Sequence, residues 1–334
     1  MKNLYVVCVI VVAVLTVALR LYRVHEPIAD WHSFRQVDTA SVAQIFVRDG
    51  IDILHPRYHD LSNIQSGRDN PRGYRMVEMP LYQASAALLV RAMPFLSVDL
   101  SLRLITIFAS SMTAVILALI ASALISPLAG FSAGFLYAIL PYSVYYGRVV
   151  LAEPLAVFFA ILSIWLMLKA VRLKRNTAVF LLSAISASMS VLIKPTAGFL
   201  LLPLGGIILS RYGVSIASFV RGIVLAIIAI VPFLWWRNWI LQYPEGIPVF
   251  LWLLNDGNIR FKGAWFHWLF AERISKMILG YFGISFVGLG LVLKLDKKEK
   301  WVGPLLFFGS MLYLVIFAAG NVRHDYYQIL LLPV

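Results

Sequence analysis

The chain has 334 residues, 61% of them hydrophobic and only 13% charged, with a mean hydropathy of +0.84. Soluble domains carry about a quarter charged residues, so this composition excludes an ordinary soluble globule and points to an all-α, polytopic integral membrane protein. The formal charge of +13 is then read as lysine and arginine in cytoplasmic loops, not as a nucleic-acid-binding surface, and the single Cys8 offers neither a disulfide nor a thiolate metal site.

In chain order, the first segment, about 4–22, opens with the apolar run Leu4 to Leu19, which is followed by Arg20, Leu21, Tyr22 and Arg23 with no small-residue cleavage pattern and reads as an uncleaved signal-anchor. A long polar stretch, 23–100, comes next and carries two expected juxtamembrane helices. The first opens S-F-R-Q, with Ser33 as N-cap and Gln36 three residues on, the pattern of a capping box. It continues to about Arg48 and stops near Gly50. The second runs from Pro80 to about Leu96, and Arg91 and Pro94 make it a poor spanning segment, so it is expected to lie partly in the interface. Further spans are expected at about 101–123, 127–146, 154–172, 177–193, 196–210, 217–236, 271–293 and 302–319, with another starting near Gln328. The chain ends LLLPV, inside an apolar stretch, so it is expected to be a C-terminally truncated piece of a longer protein. The whole, 1–334, reads as one transmembrane domain without an internal repeat.

Orientation follows from the basic residues. Lys169, Arg172, Lys174 and Arg175 form one cluster; Arg211 and Arg221 bracket a second turn; Lys294, Lys297, Lys298 and Lys300 form a third. Placing Lys2 and these clusters in the cytoplasm puts the 23–100 loop, the YYGRVVLAEP turn, the LIKPT turn and NVRHDYYQ on the opposite face. Nine of the 16 acidic residues and four of the six histidines fall in the 23–100 loop.

Several groups on that face could carry chemistry. Asp38 sits in the second turn of the first loop helix, three residues after Arg35; it reads either as a general base or as the partner in a helix-surface ion pair. Glu153 precedes Pro154 at a helix start, where it suits the helix dipole as well as a reaction. Arg148 in the same turn reads as an interfacial snorkeller. Lys194 interrupts an apolar hairpin, and an ionisable group there is a functional hypothesis by default. Arg75 and Glu78 precede the second loop helix, and His324, Asp325, Tyr326, Tyr327 and Gln328 form a polar clump. H-P-R-Y-H-D offers His55, His59 and Asp60, but Pro56 argues against a helix aligning both histidines; a divalent ion on carboxylate oxygens stays open. There is no GxGxxG, Walker or zincin motif.

Five motifs then occur in order: R-Q-V-D-T-A-S-V-A, E-M-P-L-Y-Q, R-V-V-L-A-E-P, L-I-K-P-T and H-D-Y-Y-Q-I-L-L-L-P. Together they resemble the bacterial membrane glycosyltransferases related to protein O-mannosyltransferases and to the aminoarabinose transferase of lipid A, enzymes with the GT-C fold. The resemblance spans essentially the whole chain. It implies a GT-C-type helical bundle in the bacterial inner membrane, a polyprenyl-phosphate-linked sugar donor, and inverting transfer to a protein, lipid or glycan acceptor on the extracytoplasmic face. It places the central carboxylate on Asp38, with Asp30 as helper and Glu153 as the second-loop acid where the family often has Asp. Some relatives carry a phosphate-contacting lysine in the E-x-P-L motif; Met79 stands there in this chain, leaving Arg75, Arg148 or Lys194 to take that part. Arg35, Gln36, Glu78, His324, Tyr327 and Gln328 complete the expected substrate-binding set. Two other readings stand beside this one, a transporter or flippase of lipid-linked sugars and a non-catalytic glycan-binding subunit; a transporter would concentrate ionisable groups near the midplane and often shows inverted repeats.

Overall fold

The computed structural model describes residues 2–173, 176–292 and 301–334. The basic residues Lys174, Arg175, Lys294, Lys297, Lys298 and Lys300, and the last residue of the expected 271–293 span, lie outside the described residues.

The first helix, α1 (Lys2–Arg20), is the expected apolar anchor. In the loop that follows, α2 (Ser33–Asp49) ends at Gly50, whose φ of 111° a side chain resists. The expected capping box does not form. The N-cap is His32, in left-handed conformation (φ 58°, ψ 34°) and with no side-chain bond to the helix. Gln36 turns away because tertiary partners claim it: its Nε2 donates to Asp30 Oδ1 (2.6 Å) and to the Trp31 carbonyl (3.0 Å). The second loop helix, α3 (Leu81–Ala92), stops four residues before the expected end, because the residue before Pro94 is pushed out of the helical region.

Serine caps open the next two helices. Ser97 Oγ accepts from Leu100 N at the start of α4 (Val98–Leu124), and Ser126 Oγ from Ala129 N at the start of α5 (Pro127–Ile139). The expected 127–146 span is two helices, α5 and α6 (Pro141–Tyr146). Pro141 has no N–H and its ring clashes with the carbonyl four residues back, so it can begin a helix and not continue one. A long hairpin follows, α7 (Glu153–Arg172) and α8 (Thr177–Ile193). The expected 196–210 span is a 3₁₀ turn, Pro195–Leu201, and an 11-residue helix, α9 (Leu202–Tyr212); at 1.5 Å per residue the latter reaches about 16 Å, half a bilayer core. Then comes α10 (Ile216–Ile240), opened by a genuine Ser215–Ser218 capping box. The short turns α11 (Trp252–Asn255) and α12 (Gly263–Phe266) lead into a π-helical run, His267–Ile278, and α13 (Gly283–Val292). The expected 271–293 span is therefore broken, at Gly280 and Tyr281, both of positive φ. The described chain closes with α14 (Val302–Ile316), α15 (Ala318–Arg323) and a 3₁₀ turn, Asp325–Leu331.

Among the described residues three helices, α4, α7 and α10, are long and apolar enough to cross a membrane, and there is no strand, only an isolated antiparallel bridge between Arg57 and Tyr74. The protein is an integral membrane protein. Helix α7 is central: α8, α4, α9 and the Pro195–Leu201 turn all pack on it. Helix α4 carries α1, α5 and α3 on its other sides, α10 backs α8, and α14 lies on α9 and the 195–201 turn. The α7–α8 register is fixed by small hydroxyls. Ser163 Oγ donates to the Ser183 carbonyl and Ser183 Oγ to the Ser163 carbonyl, both at 2.8 Å, and Ser190 Oγ donates to the Ala156 carbonyl. Such bonds are worth about 0.6 kcal/mol each in a bilayer, and they bring Glu153, at the start of α7, level with Lys194, just past the end of α8.

Candidate active site

The site is assembled where the loop helices meet that end of the hairpin. The 75–80 segment is stitched into place by its backbone: Met76 N donates to the Gly246 carbonyl (2.8 Å), Met79 N to the Leu192 carbonyl (3.1 Å), and Trp236 Nε1 to the Val77 carbonyl (3.1 Å). Upstream, Asn70 brackets Tyr74 with both ends of its amide, and Gly73 (φ 62°) lets the chain turn beneath Tyr58, whose carbonyl would lie 2.5 Å from any Cβ at that position. Glu78 is thereby carried to Arg35 of α2, to which it is hydrogen-bonded, with Lys194 Nζ 3.6 Å from its Oε1. Lys194 Nζ also lies 2.6 Å from Glu153 Oε1. That contact has ion-pair distance without hydrogen-bond alignment, so both oxygens of the fully buried Glu153 carboxylate lack a hydrogen-bond donor. Arg75 NH2 lies 3.2 Å from Asp38 Oδ2, to which Gln65 Nε2 also donates (3.1 Å), and Gln65 in turn accepts from Arg75.

Three cations and three carboxylates from four separate stretches of chain thus form one network, and a small polar pocket opens on it. Arg35, Asp38, Arg75, Glu78 and Gln83 line the pocket with Thr39, Val42, Pro56, Val77 and Pro80. Both protein contacts to Asp38 fall on Oδ2. Burial alone would raise the Glu78 carboxyl, but Arg35 and then Lys194 outweigh it and hold it at about 2, below its ordinary 4.5. Burial works against the charge on Lys194 too, and Glu153 and Glu78 more than compensate, so its ammonium titrates above the ordinary lysine value. Arg75 is lowered, by burial and by the Arg35 charge.

Not every expected residue joins. Gln36 is fully buried and spends its amide on Asp30, Trp31 and Val150, whose N–H donates to Oε1 (3.0 Å); Gln36 and Asp30 fix the approach to α2 and do not line the pocket. The Arg148 guanidinium lies 5.4 Å over the Tyr145 ring, not in the network. The Arg148 turn owes its path to Gly147, where a Cβ would meet Arg20 Nε at 2.1 Å. Gln328 is buried and donates to Asn321. Tyr327 does reach the site, with Lys194 Nζ 5.6 Å from its ring centre. Among the described residues no group of three His, Cys, Asp or Glu side chains is placed to hold a metal ion. His55, one of the candidate ligands, instead uses both ring nitrogens, on Asp52 (2.9 Å) and on the Tyr243 hydroxyl (2.9 Å).

A second polar knot adjoins the first. The buried Asp325 carboxylate is hydrogen-bonded to His32 and accepts from Trp31 Nε1 (2.8 Å) and Tyr146 OH (2.8 Å), while Arg273 approaches to 3.7 Å. Burial raises its carboxyl, but the donors, His32 foremost, bring it below the ordinary value. His324 packs edge-on to His32 (5.7 Å), and burial, with the nearby His32, pushes its pKa down to about 4, so it is neutral at pH 7. Sequence patterns gave no sign of Gln65 and showed Gln83 and Tyr146 only as parts of motifs; Arg273 fell inside an expected span, where Glu272, Arg273 and Lys276 together were a signal that the segment is not one.

Residues 81–236 match the family model described as dolichyl-phosphate-mannose-protein mannosyltransferase. The whole chain is similar in structure to ArnT from Cupriavidus metallidurans bound to undecaprenyl phosphate (TM-score 0.66, 14% identity, 99% of this chain and 58% of that one). It is also similar to the same protein in the apo state (TM-score 0.59, 12% identity, 89% and 52%) and to the Archaeoglobus fulgidus oligosaccharyltransferase in complex with zinc and sulfate (TM-score 0.55, 13% identity, 98% and 48%). No curated protein sequence matches. The chain spans about half the length of these solved structures, 48–58%. Its helical architecture is that of the GT-C-fold membrane proteins, and its middle part, 81–236, matches the mannosyltransferase family model.

Proposed function

We propose that the protein is a glycosyltransferase that moves a sugar from a polyprenyl-phosphate donor to an acceptor on the extracytoplasmic face of the bacterial inner membrane. The observation that carries this reading is the pocket itself: two guanidinium groups, Arg35 and Arg75, share it with the Asp38 carboxylate. Guanidinium forks match phosphate oxygens, and a carboxylate within the same pocket is placed to act on the acceptor. The acceptor O–H gives its proton to Asp38 Oδ1 as its oxygen bonds to the anomeric carbon. The bond from that carbon to the phosphate oxygen breaks, and its electron pair leaves with the polyprenyl phosphate. Positive charge builds on the sugar during the step, as in glycoside hydrolysis, and the arginines offset the negative charge on the leaving group. Attack from the face opposite the phosphate inverts the anomeric centre. Lys194, held between Glu78 and Glu153, fixes the positions of both acids, and Glu78 in turn aims Arg35.

Orientation rests on the basic clusters, and the donor on the family match together with the undecaprenyl phosphate bound to one structural neighbour. The acceptor is a hydroxyl or amine of unassigned class. The test is transfer of labelled sugar from polyprenyl phosphate by membranes containing the full-length protein, compared with Asp38→Asn. A general base contributes about 10² to 10⁴ in rate, so transfer should fall at least about a hundredfold. Equal transfer by both forms would refute the role of Asp38. Movement of intact donor across the bilayer with no transfer would favour a flippase.

A further inference from the structure

A second cavity lies one helix length from the active-site network, at the far end of the α7–α8 hairpin, and the transferase chemistry makes no use of it. Helix α7 is 20 residues long and carries Glu153 at its start, so its last turn is about 30 Å away. The cavity, of about 260 Å³, is enclosed by four helix ends: Ala170 of α7, Asn176 and Leu181 at the start of α8, Tyr212 at the end of α9, and Arg221 and Val224 in the first turns of α10. Most of its wall is apolar, and one cation stands in it. The Arg221 guanidinium lies 4.2 Å over the Tyr212 ring, and its NH1 donates to the Ala217 carbonyl.

Arg221 has no carboxylate partner among the described residues. The sequence carries no Asp or Glu between Glu153 and Glu245. Arg221 also stands in the second turn of α10, at the end of the helix dipole that disfavours a cation. Lys169 and Arg211 add positive charge to the same end. Outward from the cavity, the surface is apolar: Leu181, Leu182 and Ile185 of α8 and Val220, Ile223 and Ile227 of α10 are all more than a third exposed. A recess with a single arginine set in a largely apolar wall, opening onto a lipid-facing apolar groove, matches an amphiphile with an anionic head and two long tails. Basic pockets between membrane helices bind anionic headgroups in this way.

We propose that the recess between α7, α8, α9 and α10 is a binding site for one anionic phospholipid of the adjacent leaflet. Its phosphate lies against Arg221, and its acyl chains run along the exposed faces of α8 and α10. The site is independent of the donor site and of the reaction proposed there.

The test is lipid binding to the purified full chain in detergent, read by native mass spectrometry. The probes are dioctanoyl phosphatidylglycerol, dioctanoyl phosphatidylcholine and inorganic phosphate. The phosphatidylglycerol is expected to bind with a preference of at least about fivefold, the contribution of one basic side chain at a membrane surface. Arg221→Ala should erase that preference, and Arg211→Ala, outside the recess, should leave it intact. Val224→Trp and Leu181→Trp, which fill the recess from two sides, should each abolish binding of the tightest lipid. Equal affinity for both lipids would overturn the proposal, as would a preference that survives both Arg221→Ala and the tryptophan variants. A preference lost equally in Arg211→Ala would show general surface attraction instead. Inorganic phosphate displacing the lipid at matched concentration would show that the tails contribute nothing, and would overturn it too.

Discussion

Replacing Glu78 by glutamine keeps the shape of the most enclosed acid lining the pocket and removes its charge. In the parent, Arg35 and Lys194 hold the Glu78 carboxyl at about 2 instead of 4.5. A group whose pKa is lower in the folded than in the unfolded state stabilises the fold fully above the unfolded value, and that contribution fades as pH falls toward the folded one. From 4.5 to about 2 the contribution is about 3 kcal/mol at pH 7, which agrees with the roughly 3–5 kcal/mol lost when one partner of a buried ion pair is removed. Glu78→Gln should therefore unfold about 3 kcal/mol more easily than the parent at pH 7. The gap should narrow to under half of that at pH 3, because only the parent titrates there. Denaturant unfolding in detergent micelles, followed by tryptophan fluorescence, measures it; the indole of Trp236 is bonded to the carbonyl of Val77, the residue before Glu78. Equal stability at pH 7 would refute the argument that Arg35 and Lys194 stabilise this charge. A gap that stays constant from pH 7 to pH 3 would refute the pH linkage.

The other charges make coupled predictions. Lys194→Met should destabilise the fold by leaving Glu78 and Glu153 without their shared cation, and adding Glu153→Gln should restore part of the loss; a double-mutant cycle on unfolding midpoints should show a coupling of about 1–3 kcal/mol. The Lys194 pKa is raised in the fold, so its contribution is complete below the ordinary lysine value of 10.5 and is lost as pH rises through the folded value above it. Asp325→Asn should cost about 1–3 kcal/mol and speed hydrogen exchange in residues 29–36, since His32 and Trp31 both lean on that carboxylate. Gly73→Ala should loosen the 70–80 segment at a cost of about 1–3 kcal/mol, seen as faster exchange at Tyr58 and Arg75, because a Cβ at φ 62° would press on the Tyr58 carbonyl.

The helices of the bundle were legible because a 20-residue apolar run has one reading in a bilayer: α4, α7, α8 and α10 fall within a few residues of their expected bounds. The errors sit where local chemistry outweighs hydropathy. A proline inside an apolar run, Pro141, converts one expected span into two helices, and two consecutive positive-φ residues, Gly280 and Tyr281, break another. At the site, Asp38, Arg35, Arg75, Glu78, Glu153 and Lys194 were all singled out from sequence, since each is an ionisable side chain in or beside an apolar stretch. What sequence could not give is the pairing. Nothing in the spacing of Arg35 and Asp38 shows that they part company, Arg35 taking Glu78 and Asp38 taking Arg75. The helix-surface ion pair between them, the simplest reading of their three-residue spacing, yields to tertiary partners. Gln36 fails for the same reason, drawn off its expected cap by Asp30.

The charge balance of the network bears on how a phosphate could be bound. Three unpaired cations in a nearly buried pocket would each carry a desolvation cost of several kcal/mol, so the resting protein needs its three carboxylates. The partners are not equally committed, however. Arg35 and Lys194 are tied to fully enclosed acids, Glu78 and Glu153, whereas Arg75 faces Asp38, the most exposed of the three carboxylates at 16%. An incoming phosphate competes most easily for Arg75, and by drawing it away would release Asp38 from its cation. On the proposed reaction, Arg75→Gln should weaken donor binding while leaving Asp38 without the contact that the donor would otherwise have to break.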